Sequence, residues 1–463
     1  MKKKKSLRKD IKKSITHSWG RFFSIMALMA LGSFALVELS ITGPDMRKTG
    51  ENYFQEYKTA DITVIGDYGL DTSEIDKIQS ASNIKEVEYI YLKDIVEEGT
   101  NTSFRIFSSA DKISMYELVE GKVPETDDEI AIDTNNQEKY NIGDTISFKE
   151  TEDAAGNTIL KRTEFKIVGF INSTEILSTL NRGETTIGTG ALNCYGIINK
   201  NNFDSDVYMM AKLLFTDTDG LDPYSDEYND RVIEHKKQLE DLLEEQKGIR
   251  FSSIKSEYKT GVKTLEDAKK ELEEKESEYY EKLQEYNEKE PDAQKEIADG
   301  EKELADAQKE LDELESPIYQ VDNRREIPGG EGYEMYQKVS NIIDSLAKIF
   351  PLFMYFVAAL VTLTTMTRFV DEERINMGTY KALGYKDKDI VKKFVIYGFL
   401  ASSVGTIIGV LLGHFLIPYI AYNAYRNGFS TPMNVNYNFW CSRCKCINIY
   451  RIFSTTINIY YKW

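Results

Sequence analysis

The chain has 463 residues, 41% hydrophobic and 29% charged, with 58 Lys and Arg against 76 Asp and Glu for a net charge of −18. Length alone predicts about two to four domains, and a mean hydropathy of −0.43 excludes a chain that is membrane throughout, though not a few spanning helices joined to something very polar. The acidity argues against nucleic acid as a partner, because a duplex needs a basic face, four cysteines exclude a disulfide scaffold, and His17, His235 and His414 are too few and too scattered for a zinc or triad site.

Residues 1–21 hold nine Lys or Arg and one acid, Asp10, whereas residues 22–42 carry a single charge, Glu38. A helix of that length spans about 31 Å, one hydrocarbon thickness, and the basic flank predicts a cytoplasmic N-terminus. No A-x-A site follows, so the span reads as an uncleaved anchor. Residues 60–215 read as a compact α+β domain. Ile62 and Val64, then Tyr89 and Tyr91, alternate as strands do, and Asp71 and Glu74 have capping-box spacing ahead of a short helix. The runs 129–132, 145–148 and 165–169 predict further short strands between Gly, Asp and Asn turns.

Residues 256–315 differ, with 22 acids and 10 Lys. Leu265, Leu272, Tyr279, Tyr286, Ala293, Gly300, Ala307 and Leu314 recur every seven residues. Leu283, Ile297, Leu304 and Leu311 fill the complementary position. Sustained heptads among charges predict a coiled coil. Pro291 interrupts the pattern, so an antiparallel hairpin is expected, with arms at 260–289 and 292–315 and a turn at 287–292. The acidic face reads as solvation, since no calcium-loop spacing occurs.

A second span is predicted at 346–367, with Pro351 in its first turn, and a third at 394–420, free of formal charge. The segment between them, 368–393, has seven Lys or Arg and five acids, which places it in the cytoplasm. Gly384 is read there as a break between helices. In the third span Gly405, Gly409 and Gly413 form a stripe at four-residue spacing that lets another helix come close. The predicted order is a basic cytoplasmic N-terminus (1–21), a span (22–42) and an extracellular domain (43–345) with a coiled-coil insert (256–316). A span (346–367), a cytoplasmic loop (368–393), a span (394–420) and an extracellular tail (421–463) follow. The fold class is a membrane protein with α-helical spans and an extracellular α+β domain bearing the antiparallel hairpin.

Chemistry is sparse. The string from Gly183 to Gly190 has P-loop glycine spacing but no Lys to reach a phosphate, and neither HExxH nor GxSxG occurs. Cys441, Cys444 and Cys446 lack the second half of a metal site. The sequence therefore predicts no catalytic residue, metal or cofactor.

Residues 364–384 read T-T-M-T-R-F-V-D-E-E-R-I-N-M-G-T-Y-K-A-L-G. With Gly121-Lys122-Val123-Pro124, residues 128–132, Ile142-Gly143-Asp144 and Val168-Gly169 in that order, the chain resembles FtsX-like/MacB-like permeases of ABC transporters over about residues 15–430. The insert resembles that of long members from low-GC Gram-positive bacteria. The resemblance implies a non-enzymatic, multi-pass subunit of the bacterial plasma membrane, with ATP bound by a separate cytoplasmic ATPase. That ATPase would contact Arg368, Glu372, Glu373, Arg374, Gly378, Lys381, Ala382, Leu383, Gly384 and Tyr385. Other partners implied are membrane lipid, a second permease copy or second half, and an extracellular protein at the coiled coil. Two functions are then open: export or extraction of a substrate, or a transmembrane signal that activates an outer partner such as a cell-wall hydrolase. A fourth span expected after residue 430 is missing. Residues 434–463 shift abruptly to Asn, Ile, Tyr and Cys, which predicts a truncated permease, frameshifted near 435–441 and inactive in transport alone.

Overall fold

A computed structural model of the chain describes residues 18–150, 158–283, 290–425 and 428–430. The basic segment before residue 18, the first half of the expected hairpin turn, and the cysteine-bearing tail lie outside the described residues. The chain divides into two units. The helical unit comprises the residues to Glu56, the short stretch Ile176–Asn181 and the residues from Gly329 onward; the outer unit comprises Tyr57–Glu175 and Arg182–Pro328.

In the helical unit, α1 (Trp19–Glu56), α5 (Glu331–Glu372) and α7 (Asp387–Tyr425) each contain a stretch long and apolar enough to cross a membrane. A nine-residue helix, α6 (Arg374–Ala382), joins the last two. Each predicted span falls within one of these helices, and all three helices run past it. α1 continues through Gly43 and Pro44, where the sequence reading ended the span. The extension is held by packing: a Cβ on Gly43 would meet Asp344 Oδ1 at 2.2 Å and Ser340 O at 3.2 Å. Tyr53 and Phe54 are buried, the latter against Tyr333. Because α5 begins at Glu331, Pro351 sits in the helix interior rather than in a first turn. Its missing N–H leaves one carbonyl a turn earlier without its helical partner, a loss that membrane helices tolerate.

The outer unit holds eleven strands among its described residues. β1 (Ile62–Leu70), β2 (Ile84–Ile90), β10 (Tyr208–Phe215) and β11 (Tyr319–Asn323) form an antiparallel sheet in the order β11-β1-β10-β2. A second sheet is built from β3 (Leu92–Glu97), β4 (Ser103–Ser108), β5 (Glu117–Gly121), β6 (Glu129–Asp133), β7 (Thr145–Lys149), β8 (Glu164–Asn172) and β9 (Cys194–Ile198). Its order is β5-β8-β6-β9-β4-β3-β7, and β7 pairs with β8 as well. Six strands therefore close on themselves, which removes their edges. Ile95, Phe104, Ile106, Ile132, Phe148 and Phe165 lie in the core of this second sheet.

The capping box opens α2 (Thr72–Gln79) as the sequence predicts: Asp71 Oδ1 accepts from Ser73 N at 2.7 Å, and Glu74 Oε2 accepts from Asp71 N at 2.9 Å. The acidic helix, α3 (Asp226–Leu283), starts far earlier than the heptads indicate. Its first half is an ordinary amphipathic helix, with Tyr228, Val232, Leu239 and Leu243 buried against Ile62, Leu213 and Val321 of the four-stranded sheet. Its partner α4 (Glu290–Asp312) has Pro291 as second residue, a position where a missing N–H costs nothing. Residues 290–292, placed in the turn by the sequence reading, are already helical. Lys269 reaches Glu301 at 3.1 Å and Gln308 reaches Glu266 at 3.4 Å, so α3 and α4 run in opposite directions.

Candidate coupling site

The segment from Arg368 to Tyr385 is built on a packed base. Phe369, Ile390, Phe394 and Tyr397 are buried, and Met377, Tyr380 and Tyr385 pack against them. Phe369 meets Phe394 and Tyr397 with ring centroids at 5.2 and 4.9 Å. Three charges tie the base together. Arg21 pairs with Glu372 and lies 5.2 Å from the Phe369 ring centroid. Lys393, almost fully buried, reaches Glu373 at 3.2 Å. Arg368 lies 3.5 Å from Glu372, one turn along α5. Arg21 and Lys393 are thus part of this arrangement although the sequence reading did not single them out; only their opposite charge to the Glu372-Glu373 pair hinted at it.

α6 then projects a different surface. None of its residues is buried. Ile375 is 85% exposed and Leu383 61% exposed, with Arg374, Gly378, Lys381 and Ala382 exposed around them. Gly378 has nothing within 4 Å of an added Cβ, so no steric requirement fixes glycine there. The turn is closed at Gly384, whose φ of +77° suits glycine, with Lys381 bridging to Asp387 at 2.9 Å. Tyr385 N–H donates to Tyr380 O at 3.1 Å, and the two rings meet edge to face at 5.4 Å. The expected break at Gly384 is present. The segment ahead of it is a separate short helix rather than a continuation of α5. The arrangement is a rigid aromatic and ionic base carrying exposed apolar side chains between cations, a surface suited to docking a protein groove.

The glycine stripe has a partner in the helical unit. A Cβ on Gly405 would meet Met26 O at 2.2 Å, one on Gly409 would meet Ala30 O at 2.2 Å, and one on Gly413 would meet Phe34 O at 3.1 Å. The pairs advance together, so α1 and α7 are parallel. α5 runs against both: Tyr355 bonds Ser33 at 2.9 Å and Tyr336 donates to Met46 O at 2.8 Å. These directions agree with a topology in which residue 18 and residues 368–393 share one side.

No other chemistry gathers among the described residues. The 183–190 string is a loop closed by a bridge between Glu184 and Ala191, not the mouth of a helix. Cys194 is buried, and burial pushes its thiol up to about 11, so it is a poor nucleophile.

Residues 348–442 match the family described as FtsX-like permease C-terminal. Among solved structures, the extracellular domain of the noncanonic ABC-type transporter YknZ from Gram-positive bacteria is similar at 11% identity with a TM-score of 0.23. That likeness covers 40% of this chain and 95% of that one. No curated protein matches the chain.

Proposed function

From the premise that residues 348–442 are an FtsX-like permease C-terminal domain, we propose that this chain is the membrane-spanning subunit of an ABC transporter. Such a permease is a transporter rather than an enzyme class, and its family implies a partner ATPase. In this reading the chain crosses the bacterial plasma membrane three times over the described residues, with the outer unit extracellular. A separate ATPase binds ATP and docks on α6, and its closure moves α5 and α7 for export or extraction of a substrate. The observation that carries the reading is the exposed Ile375 on a helix with no buried residue, with the exposed Leu383 capping that helix, both mounted on a packed base. Arg368, Glu372 and Glu373 hold that base; Arg374, Lys381 and Ala382 frame the contact, and Gly384 and Tyr385 set its angle.

An alternative is that the same motion signals to an extracellular protein through α3 and α4, read as a coiled-coil hairpin. The opposed, charge-lined pair of helices favours it.

The test is retention of the ATPase by the full chain. Ile375→Asp with Leu383→Asp should reduce co-purified ATPase by about tenfold, the size expected for hot-spot side chains, while membrane insertion stays normal. Undiminished co-purification would remove α6 as the contact.

A further inference from the structure

The closure of the second sheet leaves one strand outside it. β5 pairs with β8 and with no other strand among the described residues. A row of backbone N–H and C=O groups along its other side is therefore open to pairing. Such edges are ordinarily blunted by a lysine or proline on the strand, or by an extra residue that bends it. β5 reads Glu-Leu-Val-Glu-Gly and has neither lysine nor proline. Its register against β8 shifts between Leu118 and Glu120, and Leu118 and Val119 at that shift are 42% and 48% exposed.

Apolar surface gathers around this edge. Among the described residues of the outer unit seven large apolar side chains stand exposed, and Leu118, Val119, Val123 and Ile142 are four of them. Val123 follows two residues after the strand. Ile142 comes against its end, where a Cβ on Gly121 would meet Ile142 Cδ1 at 2.8 Å. Apolar side chains collected at one exposed rim mark an interaction surface.

Charge selects what pairs there. Asn172 Nδ2 donates to Glu117 at 2.9 Å and Gln137 Nε2 donates to Glu120 at 3.1 Å. A neutral amide orients a carboxylate and leaves it its charge. Lys122, one residue past the strand, is shared between Glu125 at 3.2 Å and Glu129 at 2.8 Å. The rim therefore carries more carboxylate than ammonium. A second copy of β5 laid along the first would set acids against acids, which cross-strand pairing penalises, whereas a strand bearing Lys or Arg is drawn in.

We propose that the free edge of β5 is a docking edge for an extended, basic strand of a partner protein, which joins the sheet by backbone pairing. A five-residue partner segment, about 17 Å long, matches β5. Backbone bonds hold the segment, Leu118 and Val119 take up its apolar side chains, and its cations meet the carboxylates of the rim. The site lies wholly within the outer unit and does not depend on where the ATPase docks.

The test uses the full chain in phosphatidylcholine nanodiscs, with empty nanodiscs as the blank. The probe is a fluorescein-labelled heptapeptide, Lys-Val-Thr-Val-Lys-Val-Thr, and the control peptide has Glu in place of each Lys. Anisotropy should show the basic peptide binding, less tightly as salt is added, and the acidic peptide not binding. Amide hydrogen exchange in β5 should slow by about fivefold in the bound state, since pairing closes the open edge. Leu118→Lys with Val119→Lys should weaken binding by about tenfold. Glu120→Gln should weaken it by about threefold and reduce its salt dependence. Equal binding of the two peptides overturns the proposal, as does basic-peptide binding that leaves β5 exchange unchanged. No binding at about 1 mM basic peptide overturns it as well. Self-association of the chain that Val119→Lys abolishes overturns it in favour of a second copy. If the lysine variants do not fold, the exchange of β5 in the wild-type chain decides alone.

Discussion

Both units bring backbones together at glycine, but only in the helical unit does a repeated stripe of glycines build the whole seam. In the outer unit Gly121, at a φ of +83°, turns the chain where an L side chain is strained and also lets Val168 O come close. In the helical unit Gly405 and Gly409 have ordinary helical backbone and serve to let α1 approach to contact with its own carbonyls. The reason is solvent. The barrel core of Ile and Phe is gathered by release of water, which needs no close backbone contact. Between membrane helices that force is absent, because lipid is as apolar as the side chains. Helices then adhere by close van der Waals fit and by polar bonds. α1 shows both solutions on different faces: a backbone-tight seam with α7, and side-chain bonds with α5.

The largest effect should come from closing the tight seam. Gly409→Val places carbon where Ala30 O sits 2.2 Å away, and the cost should be on the order of 3 kcal/mol or more. Thermal unfolding of the detergent-solubilised chain would show it. Gly398→Ala is the control, since an added Cβ there meets only Met366 Cε at 3.9 Å; an equal loss in both would mean the stripe has no special role.

In the outer unit the analogous experiment is electrostatic. Burial raises the Asp71 carboxyl. Hydrogen bonds from Glu74 and Ser73 and the charge of Arg250 outweigh burial and bring it to about 2. A depressed folded value contributes stability above the unfolded pKa, here about 2 kcal/mol, and loses it as pH falls from about 4 through 2. Burial and its bond to Asp71 raise Glu74 instead, so its contribution is present in acid and is lost as pH rises through its folded value. The corner where Arg250 of α3 meets α2 should therefore be most stable at mildly acid pH, about 4. Denaturant midpoints across pH would trace that maximum, and Asp71→Asn should abolish the fall on its acid side.

The smallest effect should come from the polar seam. Tyr355→Phe removes the bond to Ser33 and should cost about 0.6 kcal/mol, typical of hydrogen bonds between membrane helices. A loss as large as that of Gly409→Val would show that α5 is held as exactingly as α7.

The three apolar runs, the capping box, the short strands and the Gly384 break were all legible, because each depends on residues close in sequence. What escaped depends on distant ones. Residues 43–56 are read as the start of the outer domain behind the span at 22–42, and become a continuation of α1 because Tyr53, Phe54 and Met46 are buried on the start of α5. Pro351 was misplaced for the same reason, since the residues before it are polar and carry no span signal. The start of α3 was readable in principle: Tyr228, Val232, Leu239 and Leu243 keep helical spacing, but the denser heptads beyond them drew the boundary later. Of the residues of this segment, the motif reading names Arg374, Gly378, Lys381 and Ala382 of α6 and passes over the exposed Ile375 beside them and Arg21, which is remote in sequence. Nothing local marks Ile176–Asn181, whose partners at 428–430 are far along the chain.

The four-residue spacing of the seam between α1 and α7 has a kinematic consequence. Met26, Ala30 and Phe34 meet Gly405, Gly409 and Gly413 in step. Each carbonyl therefore sits in a notch, and the next notch is four residues away, about 6 Å along the axis. Sliding by less than that would take the carbonyls out of the spaces that the missing side chains leave. The pair behaves as a toothed rack: it holds its register against small axial loads, and lesser displacements must be taken up by tilting the two helices as one body.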